Sequence, residues 1–171
     1  RFSGHSVITK ALKMTDIAPC MQDPKIVQNI EDFEAYCKTE DASAQPGSPA
    51  LFESYLSRYA DKVGDIINTF IPAGSHPDMD KYLYAPLMKY SQNGGKRHRP
   101  LICVAACAAV GGDIRRAFSA AAAIEHFHTA ALIHDDIADE ASLRRGEPCM
   151  HLTQGEGLAI NAGDLALSIV N

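Results

Sequence analysis

The stretch from Ile114 to about Glu140 constrains this chain more than any other. It reads as one long helix, apolar and alanine-rich over most of its length, with its polar residues clustered at the C-terminal end. There Asp135 and Asp139 stand at i and i+4, so on a helix they project from one face with Cβ atoms ~6 Å apart. His128 lies two turns back on nearly the same face, and Ala131 sits between. Asp136 and Glu140 form a second i, i+4 carboxylate pair a quarter turn round. Arg144 and Arg145 follow just past the expected helix end.

Four carboxylates in six residues repel one another, and each like-charged pair weakens a helix by a few tenths of a kcal/mol. A divalent cation removes that cost. Hard oxygen donors without thiolate or clustered imidazole suit Mg2+, which keeps several waters and is shared with substrate phosphates. Two adjacent arginines can fork onto phosphate oxygens. The stretch therefore reads as a magnesium–diphosphate site. Taken alone, Asp-Asp-x-x-Asp is more often a solvated acidic face, because short motifs recur by chance.

The remaining composition narrows the class. The chain has 171 residues, is 46% hydrophobic and carries a net charge of −5, enough for one domain with a real core. Mild acidity without a Lys/Arg run argues against a nucleic-acid partner. The longest apolar run, Leu101 to Val110, is too short for a transmembrane segment, and no signal peptide is visible. Five cysteines show no disulfide framework, and Cys103 and Cys107, spaced i, i+4 in an apolar helix, read as core thiols. A cytoplasmic, reducing location fits.

In chain order, residues 1–24 have little periodicity. Pro24 to Lys38 reads as a short amphipathic helix through Ile26, Ile30, Phe33 and Cys37. Residues 39–48 are a linker by composition, which divides the chain into an N-terminal extension, 1–48, and a helical domain, 49–171. Ser48-Pro49 is a helix start. Phe52, Tyr55, Leu56, Tyr59, Val63, Ile66, Ile67 and Phe70 then form one core stripe. Asp61 and Asp65 belong to its surface. Met79 to Ser91 reads as a helix interrupted at Pro86 and capped by Asp78 and Asp80. Leu101 to Val110 reads as a helix buried nearly all round, Pro148 to Gln154 as loop, and Gly155 to Asn171 as a last helix with Asp164 buried in it. No strand-period segment stands out, so the fold class is all-α.

Asn93 to Pro100, NGGKRHRP, concentrates Lys96, Arg97 and Arg99 at the start of a helix. Backbone amides and three cations there make an anion site. An ordinary basic turn explains the same residues when the segment is taken alone. The Gly-Lys-Ser/Thr spacing of a Walker loop is missing.

GGKRHRP, HTAALIHDDIADE, SLRRGEP and GEGLAINAGD occur in the order and approximate spacing of one family. Residues 94–171 resemble the first half of a trans-isoprenyl diphosphate synthase (polyprenyl synthase), and residues 49–93 resemble its first helices more loosely. The resemblance implies an isoprenoid-synthase-type helical bundle, incomplete in this chain and assembled as a homodimer. It implies a prenyltransferase that joins isopentenyl diphosphate to an allylic diphosphate to make a longer trans-polyprenyl diphosphate. Residue by residue, Asp135 and Asp139 would bind magnesium on the allylic diphosphate with Asp136 in support, and Arg144 would contact that diphosphate. Lys96, Arg99, His128 and Arg145 would hold the diphosphate of isopentenyl diphosphate. His126 and His134 are expected to be structural. His98 departs from the usual aliphatic residue of the glycine–lysine–arginine motif.

The implied chemistry is ionisation, condensation and elimination, which needs no protein nucleophile but does need water excluded. Ala130 and Ala131 occupy the turn that forms the product floor in this family, and two alanines predict a product of geranylgeranyl length or longer. The family's second aspartate-rich motif is not found before Asn171, so the chain is expected to be part of a longer synthase and inactive alone. Rival expectations are a non-catalytic regulatory subunit, a metal-dependent phosphohydrolase built on His134-Asp135, and a terpene cyclase. The hydrolase needs His134 on the metal face, about 100° from where a helix places it. The cyclase would not need Lys96, Arg99 and His128.

Overall fold

The computed structural model describes residues 23–41 and 49–170. The elements in chain order are α1 (Pro24–Asp41), α2 (Pro49–Asn68), α3 (Pro77–Met79), a π turn (Asp80–Tyr84), α4 (Ala85–Gln92), α5 (His98–Ala109), α6 (Ile114–Ala138), a hairpin of β1 (Leu143–Arg144) and β2 (Glu147–Pro148), α7 (Met150–Gln154) and α8 (Glu156–Ile169). The all-α expectation holds. Among the described residues its one exception is the antiparallel hairpin, in which Leu143 pairs with Pro148 and Arg144 with Glu147.

The helix α6 is the spine. Asp113 caps it by accepting from the Arg115 amide at 3.0 Å, satisfying one of the orphan donors at the helix start. Its 25 residues span about 37 Å at 1.5 Å per residue. That length lets it serve two cores. Its N-terminal half gives Ala117, Phe118, Ala121 and Ala122 to a core shared with α1, α2 and α5. Its C-terminal half gives Ala130 and Ile133 to a second core, shared with α4, α7 and α8. The alanines keep the spine thin enough for neighbours to approach on several sides at once.

In the first core, Ile26, Ile30 and Phe33 are the buried stripe of α1, and Tyr59, Val63, Ile66 and Ile67 that of α2. The Phe33 ring meets Tyr59 and Phe118 edge-on, with centroids 5.7 and 5.5 Å apart, the arrangement aromatic quadrupoles favour. The expected linker is shorter than its composition implies, because α1 continues to Asp41 and its stripe belongs to this core. Ser48 and the side chains of Cys37, Phe52, Tyr55 and Leu56 lie outside the described residues, as do 1–22.

Other expectations change. The helix after the first loop is capped by His76, whose Nδ1 accepts from the Asp78 amide at 3.2 Å. Asp80 instead accepts from the Gly74 amide at 2.7 Å and ties down the preceding turn. The interruption at Pro86 takes the form of a π turn, in which the Ala85 amide bonds back to the Asp80 carbonyl. Proline has no N–H and crowds the preceding turn, and widening the ladder there absorbs both problems. The helix α5 buries only Pro100, Leu101 and Val104. Ile102 and Val110 are 54% and 85% exposed, so it is not buried all round. Residues 150–154 are helical, and Asp164 is exposed.

His126 is buried in α6, with Nε2 3.3 Å from the Ile67 carbonyl. Burial pushes its pKa down to about 4. The folded chain therefore holds His126 neutral while the unfolded chain takes up a proton below pH 6.5. Folding stability is complete above about pH 6.5 and falls as the pH drops toward 4, by on the order of 3 kcal/mol from this residue. Chemical denaturation across that range should show the loss, and His126→Gln should flatten it.

Candidate functional site

The residues singled out in the sequence come from three places: the loop 93–97 and the first turn of α5, the C-terminal half of α6, and the hairpin. Local chemistry draws them together. Gly95 has φ 118°, and a side chain there would put its Cβ within 2.9 Å of the Arg97 and Arg145 guanidinium groups. Only glycine allows both arginines to close over the loop. Arg145 at the hairpin tip donates Nη1 to the Gly94 carbonyl, and Arg97 donates its own Nη1 to the same oxygen at 3.2 Å.

Arg97 does not present its charge alongside Lys96 and Arg99. It adopts the left-handed conformation, φ 47°, at the cap position of α5. Its guanidinium points inward to Glu125 of α6 at 3.0 Å and to the Ser91 carbonyl. Both side chains of the ion pair are less than a tenth exposed. A buried charge persists only when paired and hydrogen-bonded, and here the carboxylate and two carbonyls meet those needs. Arg97 thus nails the loop to α6 and turns the neighbouring Lys96 and Arg99 outward.

Lys96 and Arg99 are exposed. Arg99 Nη1 lies 3.3 Å from His128 Nε2. Burial, then the Arg99 charge, lowers the His128 pKa, and Arg144 and Arg145 push the same way against Glu125. His128 is therefore neutral at pH 7 with a lone pair for Arg99, in surroundings that favour an anion. Burial and the Arg97 charge lower the Arg145 pKa as well, with Glu125 opposing. Beside Arg99 and His128 opens a groove of about 570 Å³, lined also by Ala123, Ile124, Phe127, Ala131 and Val170. Its walls are mainly apolar, its polar end is Arg99 and His128.

The acidic end of α6 divides. Asp135 and Asp139 are exposed, and neither has a cationic partner among the described residues. The helix ends at Ala138, with Asp139 as its C-cap and Glu140 beyond it at φ 50°. The expected Asp136–Glu140 pair is accordingly broken. Asp136 is buried and holds Tyr90 Oη at 2.9 Å and Arg144 Nε at 2.7 Å. His134, adjacent to Asp135, faces α8. Its Nε2 lies 3.5 Å from both the Ile160 carbonyl and Asp164, and Gly163 leaves the room its ring occupies. That orientation removes the ground for a His134-based hydrolase. Of the two alanines, Ala130 is buried in the second core and only Ala131 opens to the groove.

No group of three or more His, Cys, Asp or Glu gathers to hold a metal among the described residues. Two free carboxylates on one helix face fit a cation that takes one or two protein oxygens and completes its octahedron with water and substrate phosphate, as Mg2+ does. A residue that sequence reasoning passed over is Tyr90. Its partner Asp136 is 46 positions away, and no local pattern marks such a pair.

A sequence profile described as polyprenyl synthetase matches residues 80–171. Geranylgeranyl pyrophosphate synthase 12, chloroplastic, of Arabidopsis thaliana is 45% identical over 121 residues, covering 69% of this chain and 32% of the relative. Geranylgeranyl diphosphate synthase of Sulfolobus acidocaldarius is 43% identical over 116 residues, covering 68% and 34%. Among solved structures, geranylgeranyl pyrophosphate synthetase of Pyrococcus horikoshii superposes with a TM-score of 0.61 at 38% identity, covering 69% of this chain and 35% of that one. The chain spans about a third of the length of the relatives it matches.

Breaking the Arg97–Glu125 pair from one side strands a buried cation. Glu125→Ala should cost about 3–5 kcal/mol in chemical denaturation, whereas Lys96→Ala on the exposed loop should stay within about 0.5 kcal/mol of the parent.

Proposed function

The chain belongs to the polyprenyl synthetase family, and on that premise we propose that it carries the first diphosphate-binding half of a magnesium-dependent trans-prenyltransferase. The whole synthase would condense isopentenyl diphosphate with an allylic diphosphate to make a product of geranylgeranyl length or longer. One observation carries this reading. Arg97 and Glu125 are spent on each other inside, the Asp136–Arg144 pair leaves an exposed edge of Arg144 over, and Asp135, Asp139, Lys96 and Arg99 have no opposite charge beside them among the described residues. The open set is what two diphosphates and a divalent cation would complete.

In this proposal Asp135 and Asp139 hold Mg2+ and Arg144 lies against the allylic diphosphate. Bound there, the cation supplies a hard Lewis acid that takes charge off the leaving diphosphate. Arg144 adds a fixed positive charge where negative charge develops. Lys96, Arg99, His128 and Arg145 hold isopentenyl diphosphate, with His128 neutral so that Arg99 keeps its fork. The apolar wall of Ala123, Ile124, Phe127 and Ala131 receives the hydrocarbon and keeps water from the allylic cation. Ala131 sets the open floor, and Phe127 one turn below bounds its depth.

A homodimer belongs to the same proposal. So does a reducing compartment such as the cytoplasm, which suits the free thiols of Cys103, Cys107 and Cys149. No helix of the described residues is long and apolar enough to cross a membrane.

Incubation with Mg2+, labelled isopentenyl diphosphate and farnesyl diphosphate tests the reading, in this chain and in a form extended to the length of its relatives. Elongation is expected in the extended form and should fall at least about 100-fold in Asp135→Ala. No elongation in either would bring forward the non-catalytic subunit. Ala131→Phe should shorten the products, as read by chromatography, while leaving Mg2+ dependence unchanged.

A further inference from the structure

Asp136 is 1% exposed, yet it sits in the middle of the acidic motif. Three groups from outside α6 converge on it. Tyr90, near the end of α4, donates its phenolic O–H to Oδ2 at 2.9 Å. Arg144, on β1, donates Nε to Oδ1 at 2.7 Å and Nη2 to the same oxygen. Cys149, wholly buried just after β2, has its thiol pushed up by burial and by the Asp136 charge. Burial and the same carboxylate hold the Tyr90 phenol protonated, well above its ordinary range. Both Asp136 oxygens are thus engaged by donors from the protein, and the carboxylate is closed off from solvent.

Arg144 is left half committed. Its Nε–Nη2 edge lies on Asp136, and its Nη1 has no protein partner among the described residues. Its side chain is 31% exposed, open enough to meet an anion. The hairpin beneath it pairs only two residues from each strand, and an isolated two-stranded ribbon is marginal in water. What locates the guanidinium is therefore its tie to Asp136.

Resting on the reading above, we propose that Asp136 and Tyr90 are positioning residues. They hold the Arg144 guanidinium in place for a diphosphate, and Asp136 is not a ligand of the metal that Asp135 and Asp139 bind. Tyr90 orients the Asp136 carboxylate from the side opposite Arg144. Because α4 leads directly into the loop carrying Lys96 and Arg97, the same tie sets the hairpin arginines in register with that loop. An aspartate that ligated a cation would need an oxygen at the surface, and Asp136 is 1% exposed with donors from Tyr90 and Arg144 already on both oxygens.

The test uses the full chain with inorganic pyrophosphate as the probe. Calorimetry gives its affinity at saturating Mg2+, and a Mg2+ titration at pyrophosphate saturating for each form gives the half-saturation point. The forms compared are wild type, Tyr90→Phe, Asp136→Asn, Arg144→Ala, Asp135→Asn and the double variants with Arg144→Ala. Tyr90→Phe should weaken pyrophosphate by about fivefold and Asp136→Asn by about tenfold or more, with the Mg2+ half-saturation point unmoved. Either change added to Arg144→Ala should cost nothing further, since the residue it positions is already gone. Asp135→Asn should shift the Mg2+ point. The anchor is overturned if Asp136→Asn shifts the Mg2+ point as Asp135→Asn does, if the losses add, or if Tyr90→Phe binds like wild type. Should Asp136→Asn fail to fold, the Tyr90→Phe cycle, which removes one hydroxyl, decides alone. A wild-type chain that binds no pyrophosphate overturns the diphosphate-site reading itself, and the anchor with it.

Discussion

The buried pair between Arg97 and Glu125 is the constraint on which the rest of the site depends. A guanidinium less than a tenth exposed, 3.0 Å from a carboxylate equally buried, stays folded only while both charges remain matched. That match forces Arg97 into a left-handed backbone, fixes the loop 93–97 on α6, and makes a side chain at Gly95 untenable. Lys96 and Arg99 flank an inward-turned arginine, so they face out. The outward charge of Lys96 and Arg99 is set by the buried arginine between them.

A second matched charge repeats the logic at the other end. Asp136 binds Arg144 and Tyr90, and its burial leaves Asp135 and Asp139 as the open carboxylates of α6. In each case one member of a charged cluster is spent on structure so that its neighbours present to solvent in a set orientation. Repulsion among the remaining like charges is retained, and a bound cation would relieve it. The hairpin joins the two ends, since Arg144 reaches Asp136 while Arg145 reaches Gly94.

The spine explains how two cores can share one site. Phe118 and Ala121 of α6 anchor it among α1, α2 and α5, and Ala130 and Ile133 anchor it among α4, α7 and α8. His128 and Ala131 lie on the one side left uncovered, where the groove runs. Long polar or aromatic side chains at the alanine positions would have pushed the packing helices away and opened the groove on the wrong sides. The exposed Phe127 and Ile124 are the large apolar side chains that α6 keeps on the open face.

Periodicity sufficed for the helices, because an apolar stripe at helical spacing can be satisfied in only one local geometry. The stripes of α1 and α2 were legible for that reason, as were the extent of α6, the i, i+4 relation of Asp135 and Asp139 and the glycines of the 94–95 turn. Spacing could not say which charge of a cluster turns inward. Arg97 against Lys96 and Arg99, and Asp136 against Asp135, are choices made by partners 28 and 46 residues away. The same holds for Asp164, expected buried and found exposed, and for Ala130 and Ala131, alike in sequence but split between core and groove. What the sequence by itself determined was the set of helices and the chemical inventory at their ends. The tertiary structure decided which of those charges are spent inside and which are left to bind, because burial of a charge is settled by long-range partners and not by neighbours in the chain.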